Sequence, residues 1–417
     1  MARTGEEWLA PGTKGAPLGS DGLTLAELGA SGLDLLGGEL ALPLLAIREL
    51  ALATNVAAMA AYCESHGVLL APHGKTTMAP QLFARQIDAG AWAITAATPY
   101  HLRVYRRFGI GRVFYANQLL DPAALAWICA EQRRDPGFEL FCLVDSPAAV
   151  ARMDSVLAGL EPERPLRVLV EVGYRGGRAG ARDTDAADAA AAAAAAARHL
   201  ELVGVEFYEG LIPGGESVEA TLELIDAWLG EVAATVERLV ERGRLPAEPL
   251  LSGGGSAYFD RVIARFGAGP GRLVLRSGCY VTQDGGFYEA TSPLAGRSAG
   301  APALRDALEL WSTVLSRPEP ERAIASFGKR DAPWDMSWPL PRARRGEDGA
   351  EAPLERVEVV GMNDQHAHLR LPATAELAVG DLLRCAVSHP CGAFDRWRAI
   401  PLVDERRRIV DAVITYF

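Results

Sequence analysis

The stretch Val68-Leu69-Leu70-Ala71-Pro72-His73-Gly74-Lys75-Thr76 carries the decision about the fold. An apolar run of strand character stops at Pro72. His73 and Lys75 follow two positions apart, on one face if the strand continues. Working outward, apolar runs begin again at Trp92, Arg112, Glu139, Leu166, Leu202, Pro249 and Arg272. All but the last of these eight runs lead into stretches of helical character. Thr98-Pro99, Asp121-Pro122 and Ser146-Pro147 each place an N-cap side chain before a proline at the first helical position. Eight strands alternating with helices predict an α/β fold of (β/α)8, TIM-like barrel type. A doubly wound sheet is the alternative, but it calls for a Gly-rich turn after the first strand, and Pro72 to Thr76 is not one. In a barrel, the C-terminal ends of the strands carry the chemistry, which makes Lys75 a candidate Schiff-base nucleophile. A solvated surface lysine is the competing reading.

Three domains are expected: an arm over 1–41, the barrel over 42–282, and a mainly β domain over 283–417. The arm is irregular, with one short helix near Leu25. Leu42 to Ile47 predicts a strand, and Leu52, Val56 and Met59 recur at helical spacing within Glu49 to Ser65. Ala186 to Ala197 predicts an exposed barrel helix, because alanine has the best helix propensity. Beyond Thr282, prolines at 318, 320, 333, 339, 341 and 353 break the chain. Alternating runs at Val357–Val360, Leu369–Leu371, Leu382–Val387 and Arg408–Val413 predict strands, and Arg342 to Glu351 predicts a surface loop.

Composition narrows the function. The 417 residues are 49% hydrophobic and 23% charged, the balance of a globular protein, and the net charge is -11. That charge argues against nucleic acid or an anionic membrane as partner, but leaves room for an anionic cofactor held by backbone amides. The six cysteines are scattered, no basic start precedes an apolar core, and no uncharged apolar span reaches membrane length. A reduced, cytoplasmic protein is expected.

Ser252-Gly253-Gly254-Gly255-Ser256 follows the seventh run and precedes a helix. Its glycines let backbone amides approach a ligand, and the helix start adds positive potential, so Gly254, Gly255 and Ser256 are phosphate-cradle candidates. A plain Gly-rich turn competes with that reading. A lysine at the first strand and a phosphate site at the seventh suggest pyridoxal 5'-phosphate. Arg175 and Arg178, among glycines after the fifth run, could set a guanidinium near it; a surface turn fits equally. Tyr208 ends the sixth run, where its ring could lie against the pyridine or pack in the core. In the last domain, His389-Pro390-Cys391 offers an imidazole and a thiolate, ligands suited to Zn2+ in an open site. Asp364, His366 and His368 form a further polar cluster, of ligand, acid/base or surface-turn character.

Together these stretches resemble the D-serine dehydratase and D-threonine aldolase family, fold type III pyridoxal-phosphate enzymes with an alanine racemase-type barrel. The family's PHxKT resembles Pro72 to Thr76, its GxGRxG turn Gly176 to Gly180, its GGG-Ser/Thr Gly253 to Ser256, and its PGxY Ser277-Gly278-Cys279-Tyr280, with Asp284 following. Its metal pair, HxC in dehydratases and HxD in aldolases, corresponds to His389 and Cys391. The resemblance implies Lys75 as the Schiff-base lysine with His73 beside it. It implies cofactor contacts from Arg178, Tyr208, Gly254, Gly255, Ser256, Gly278 and Tyr280, and a homodimer. Thr77-Met78 and Ser277 depart from the family pattern and point to a divergent, amino acid deaminase-like branch.

The expected function is a pyridoxal-phosphate- and metal-dependent lyase that converts a D-3-hydroxy amino acid, D-serine-like, to a 2-oxo acid and ammonia. A D-threonine-type aldolase releasing glycine and an aldehyde is the alternative. Racemisation would need a second base, for which the sequence offers no candidate. A non-catalytic pyridoxal-phosphate protein is the alternative of another class; a second domain carrying a metal pair speaks against it.

Overall fold

A computed structural model describes residues 4–298 and 302–417, which divide into two compact units. The first comprises Ala60–Lys75 and Gln86–Gly278; the second comprises the chain through Met59, Thr76–Arg85 and Cys279–Phe417.

The first unit holds eight parallel strands: Leu69–Leu70, Ile94–Ala96, Arg112–Gln118, Glu139–Val144, Leu166–Val172, Leu200–Phe207, Leu250–Gly253 and Arg272–Leu275. They are the eight runs expected from the sequence; from Ile94–Ala96 onward each pairs with the next, and the last returns to the first through Leu275↔Leu70. The circle closes where the amides of Trp92 and Thr95 donate to the carbonyls of Leu70 and Pro72, at 2.7 and 2.8 Å, and His73 bridges Thr95. Ala71, Phe114, Phe141, Leu143, Leu169 and Val274 fill the interior, each 3% exposed or less. Burying each of the larger side chains stabilises the barrel by about 1.5–3 kcal/mol. The three expected N-caps form: Thr98, Asp121 and Ser146 accept from the amides of His101, Ala123 and Ala149. The alanine-rich helix Thr184–Ala196 is not simply exposed. Ala187, Ala190, Ala191 and Ala194 are fully buried along one face, where a methyl group permits close approach.

The second unit is built on a mostly antiparallel sheet whose longest strand is Leu308–Glu319. The segment expected to open the barrel belongs here. Leu44–Arg48 pairs antiparallel with Leu308–Trp311 and parallel with Leu402–Val403. Its first four residues are buried, as a strand flanked on both edges requires. The expected loop from Arg342 to Glu351 is instead a hairpin. Leu340–Arg345 pairs with Glu351–Pro353 around a turn in which Gly349 takes φ 76°. Its charges lie on a sheet, where alternation leaves one face polar. Strands Arg322–Ala325 and Ala399–Val403 also escaped the sequence reading. Among the described residues, no helix is long and apolar enough to cross a membrane.

Candidate active site

Strand pairing stops short of the lysine. After Leu69–Leu70 the chain makes the single bridge at His73 and then one 3-10 turn, Gly74–Thr76. His73 and Lys75 are therefore not alternate residues of one strand. The turn needs Gly74: a Cβ there would stand 2.3 Å from the Tyr105 hydroxyl and 2.8 Å from Ile94 Cγ2. Lys75 itself is exposed. His73 is held well below the ordinary imidazole range, by burial first and then by the charges of Lys75 and Arg276. Its Nδ1 is buried with no hydrogen-bond partner among the described residues.

His101, which the sequence reading passed over, is a second neutral imidazole near Lys75. Burial, then the lysine charge, pushes it down to about 4. Its Nδ1 accepts from the Ala97 amide at 3.1 Å, so the proton of the neutral ring is on Nε2.

Further charges sit at the C-terminal ends of other barrel strands. Glu171 is the penultimate residue of the fifth, Glu206 of the sixth, and Arg276 follows the eighth; each is buried. Arg276 pairs with Glu206, donates to the Phe207 carbonyl at 2.8 Å, and lies over the rings of Phe114 and Tyr208, at 5.6 and 6.0 Å. Burial raises the Glu206 carboxyl to about 7, against the pull of Arg276. Gln118 donates to Glu171, whose carboxyl burial also raises. Arg276 Nε and Glu206 Oε2 remain without partners among the described residues. A buried polar atom left unpaired costs about 1–3 kcal/mol, so such atoms mark a place for a polar ligand.

The glycine turn differs from expectation. The amides of Gly254 and Gly255 donate to the Glu209 carboxylate, at 3.1 and 2.6 Å. These two donors hold a side chain rather than stand open to phosphate. The turn is still one that only glycine permits: Gly254 has φ +81°, and a Cβ on Gly255 would meet the Tyr208 ring at 2.8 Å. Ser256, next along, is buried. Arg178 is exposed, with its guanidinium 5.7 Å from the Tyr208 ring centroid. Gly278 closes the first unit and is buried. Tyr280 lies in the second unit at 1% exposure. Around Lys75, an amine for an aldehyde and orphaned polar atoms for ring substituents fit pyridoxal phosphate; the Gly254 and Gly255 amides do not add to that fit.

In the second unit, His389 Nδ1 donates to Asp335 at 2.6 Å, leaving Nε2 for a ligand. Burial pulls this imidazole down, but Cys391 and Asp335 outweigh it and raise it to about 9. Hydrogen bonds from Cys279 and His389 hold the Cys391 thiol well below its ordinary range, despite burial. Cys391 Sγ is also hydrogen-bonded to the Thr76 hydroxyl at 3.4 Å, which as a thiolate it accepts; Thr76 is the residue that follows Lys75. A carboxylate-oriented imidazole beside a thiolate is the donor chemistry of a transition-metal site. No three His, Cys, Asp or Glu side chains already enclose a common point among the described residues. Asp364 and His366 lie at the turn between Glu358–Met362 and Ala367–Arg370; His368 lies in the second of these strands, and its Nε2 bonds the Asn363 side chain at 2.7 Å. Asp364 and His366 are exposed there.

Residues 307–403 match the family described as "Putative serine dehydratase domain". The D-threonine aldolase of Arthrobacter sp is 25% identical over 339 residues, 80% of this chain and 82% of that one. The D-threo-3-hydroxyaspartate dehydratase of Delftia sp. (strain HT23) is 26% identical over 366 residues, 81% and 87% of the two chains. Over most of its length the chain is thus similar to D-amino acid aldolases and a dehydratase. Solved structures give its fold the same placement. The D-threonine aldolase of Filomicrobium marinum superposes with a TM-score of 0.73 at 21% identity, covering 90% of this chain and 95% of its own. An alanine racemase-like protein of Idiomarina loihiensis does so with a TM-score of 0.69 at 18% identity, covering 90% and 96%. The barrel with its second β unit is thus the alanine racemase-like fold expected from the motifs.

Proposed function

We propose that this homologue is a lyase that eliminates water from a D-3-hydroxy amino acid, D-serine in the simplest case, after which water hydrolyses the released aminoacrylate to a 2-oxo acid and ammonia. The observation that carries the reading is the His389–Cys391 pair with Asp335 behind its imidazole, because a leaving hydroxyl needs an acid that a lysine amine alone does not supply. Pyridoxal phosphate, when bound, supplies the electron sink for the bond cleaved at the substrate α-carbon. Zn2+ or another divalent ion on His389 and Cys391 supplies the Lewis acid for the departing hydroxyl.

The chain's own residues do the rest. The exposed Lys75 amine would attach the cofactor and, as a free amine, could take the α-proton. The neutral rings of His73 and His101 add no positive charge beside it. Glu206 and Arg276 fix the charge at the strand ends and hold Tyr208 in place. With the Gly254 and Gly255 amides engaged by Glu209, a bound phosphate would have to draw on donors other than these two. Asp335 holds His389 in the tautomer that presents Nε2.

Likeness to the Arthrobacter aldolase favours a second reading, C–C cleavage to glycine and an aldehyde. The cysteine at 391, where the resembling family's aldolases carry aspartate, favours the dehydratase. A metal-free form described for a cysteine-to-alanine variant of the Delftia dehydratase supports a metal role for such a residue. Incubation with D-serine, D-threonine and D-3-hydroxyaspartate, with and without chelator, tests the choice. Chelator-sensitive ammonia and 2-oxo acid are expected; glycine with an aldehyde, and no ammonia, rejects the dehydratase.

A further inference from the structure

We propose that Cys279 is a third protein ligand, a second thiolate, of the metal that His389 and Cys391 hold; this rests on the metal reading above. The Sγ atoms of Cys279 and Cys391 stand 3.5 Å apart. Two sulfurs on one tetrahedral zinc, each about 2.3 Å from the metal, are separated by about 3.8 Å. A disulfide would need about 2.05 Å. The observed spacing is therefore a few tenths of an ångström short of what a shared cation requires, and much further from a covalent bond. The contraction has a simple cause: a thiol proton, smaller than a metal ion, bridges the two sulfurs. Cys279 and Cys391 both lie within reach of the Thr76 hydroxyl, at 4.0 and 3.4 Å, which turns both sulfurs to one side.

The other cysteines give the contrast. Cys63, Cys142 and Cys385 are buried thiols that burial alone, or burial first, pushes up, the state of a cysteine used as a small apolar residue. Cys279 is equally buried, at 5% exposure, and its thiol too is pushed well above its ordinary range, first by the Cys391 hydrogen bond and then by burial; what sets it apart is geometry, a second sulfur 3.5 Å away beside an oriented imidazole. It occupies the variable position of the PGxY-like stretch, so the extra ligand belongs to this chain rather than to the motif. On binding, Cys279 gives its thiol proton to solvent and its sulfur lone pair to the metal. One imidazole and two thiolates with a free fourth position make an open catalytic zinc set. Such a set selects zinc and cobalt over manganese and magnesium, which favour oxygen ligands.

The test uses the full chain, as wild type, Cys279→Ser, Cys279→Ala and Cys391→Ala. Each is titrated with Zn2+ and with Mn2+ against a chromophoric chelator, and each is loaded with Co2+ for absorbance. In both Cys279 variants, zinc affinity should fall by more than the about 10–100-fold that loss of a supporting residue costs. Manganese affinity should change far less. The sulfur-to-cobalt charge-transfer band should drop to about half per bound Co2+, as one of two thiolates is lost. Serine keeps the side-chain size, so a packing defect confined to the alanine variant does not mimic the result. Wild-type zinc affinity and an unchanged cobalt band in both variants overturn the proposal while leaving the metal reading intact. Zinc binding that is absent from wild type, or equal in Cys391→Ala, overturns both.

Discussion

Gly74→Ala tests whether the lysine turn is held by packing. The added Cβ would stand 2.3 Å from the Tyr105 hydroxyl and 2.8 Å from Ile94 Cγ2. Neither neighbour can step aside into water, because both are fully buried. The Tyr105 hydroxyl is also engaged, donating to the Thr95 carbonyl at 3.1 Å. Overpacking at such a site costs about 1–3 kcal/mol, and losing the hydroxyl's bond adds about 1 kcal/mol, giving about 2–4 kcal/mol in all. For a unit of the barrel's size each kcal/mol lowers the unfolding temperature by about 2–4 °C, so a fall of about 4–16 °C is expected. Tyr105→Phe alone should cost about 1 kcal/mol, since it removes the hydroxyl bond without a clash. In the double variant the nearest obstacle to the new methyl group is gone. Its destabilisation should then fall short of the sum of the single effects by at least about 0.5 kcal/mol, the coupling expected of residues in contact. Urea and thermal unfolding of the four proteins measure this directly. Additive or worse-than-additive destabilisation would refute the packing account of the turn.

The remaining expectations concern charge and ligands. Lys75→Ala should lower turnover by at least about 10²–10⁴-fold and abolish the cofactor-lysine absorbance while leaving unfolding unchanged; a retained absorbance band excludes Lys75 as the attachment point. Because its folded value is raised from 4.5 to about 7, Glu206 contributes stability that is complete below about pH 4.5 and lost as pH rises through about 7. Relative to Glu206→Gln, wild type should therefore lose up to about 3 kcal/mol across that window, read from urea midpoints; a constant difference shows that the carboxyl does not titrate there. Asp335→Asn should weaken metal binding by about 10–100-fold in a chelator competition, through loss of imidazole orientation; unchanged affinity removes Asp335 from the site.

The barrel was legible because its signals are local. Every strand run ends near a turn residue or cap, and Thr98, Asp121 and Ser146 announce helix starts that the backbone then makes. The strand Leu44–Arg48 was legible as a strand but not as a member of its sheet. Its partners at 308–311 and 402–403 lie hundreds of residues away, and nothing in five apolar residues names a distant edge. The hairpin from 340 to 353 was hidden for the opposite reason. Its charges mimic a loop, while its pairing depends on alternation and on one glycine able to take φ 76°.

The candidate site divides the same way, and the division says where sequence reasoning should look. Motif glycines drew attention to Gly254 and Gly255, yet the partner that shapes them, Glu209, stands earlier in the chain as the residue after Tyr208. Arg276, Glu206 and Glu171 went unread although each breaks an apolar run near its C-terminal end. A charge placed there is costly to bury, so a barrel keeps it only where a partner or a ligand repays the desolvation. Glu206 and Arg276 repay part of it to each other, and the atoms they leave unpaired, Oε2 and Nε, are the remainder that a bound ligand has to satisfy. A charged residue ending a barrel strand is thus as strong a site signal as a glycine motif. It also carries information the motif lacks, because the unpaired atom specifies which kind of hydrogen-bonding group the ligand must bring.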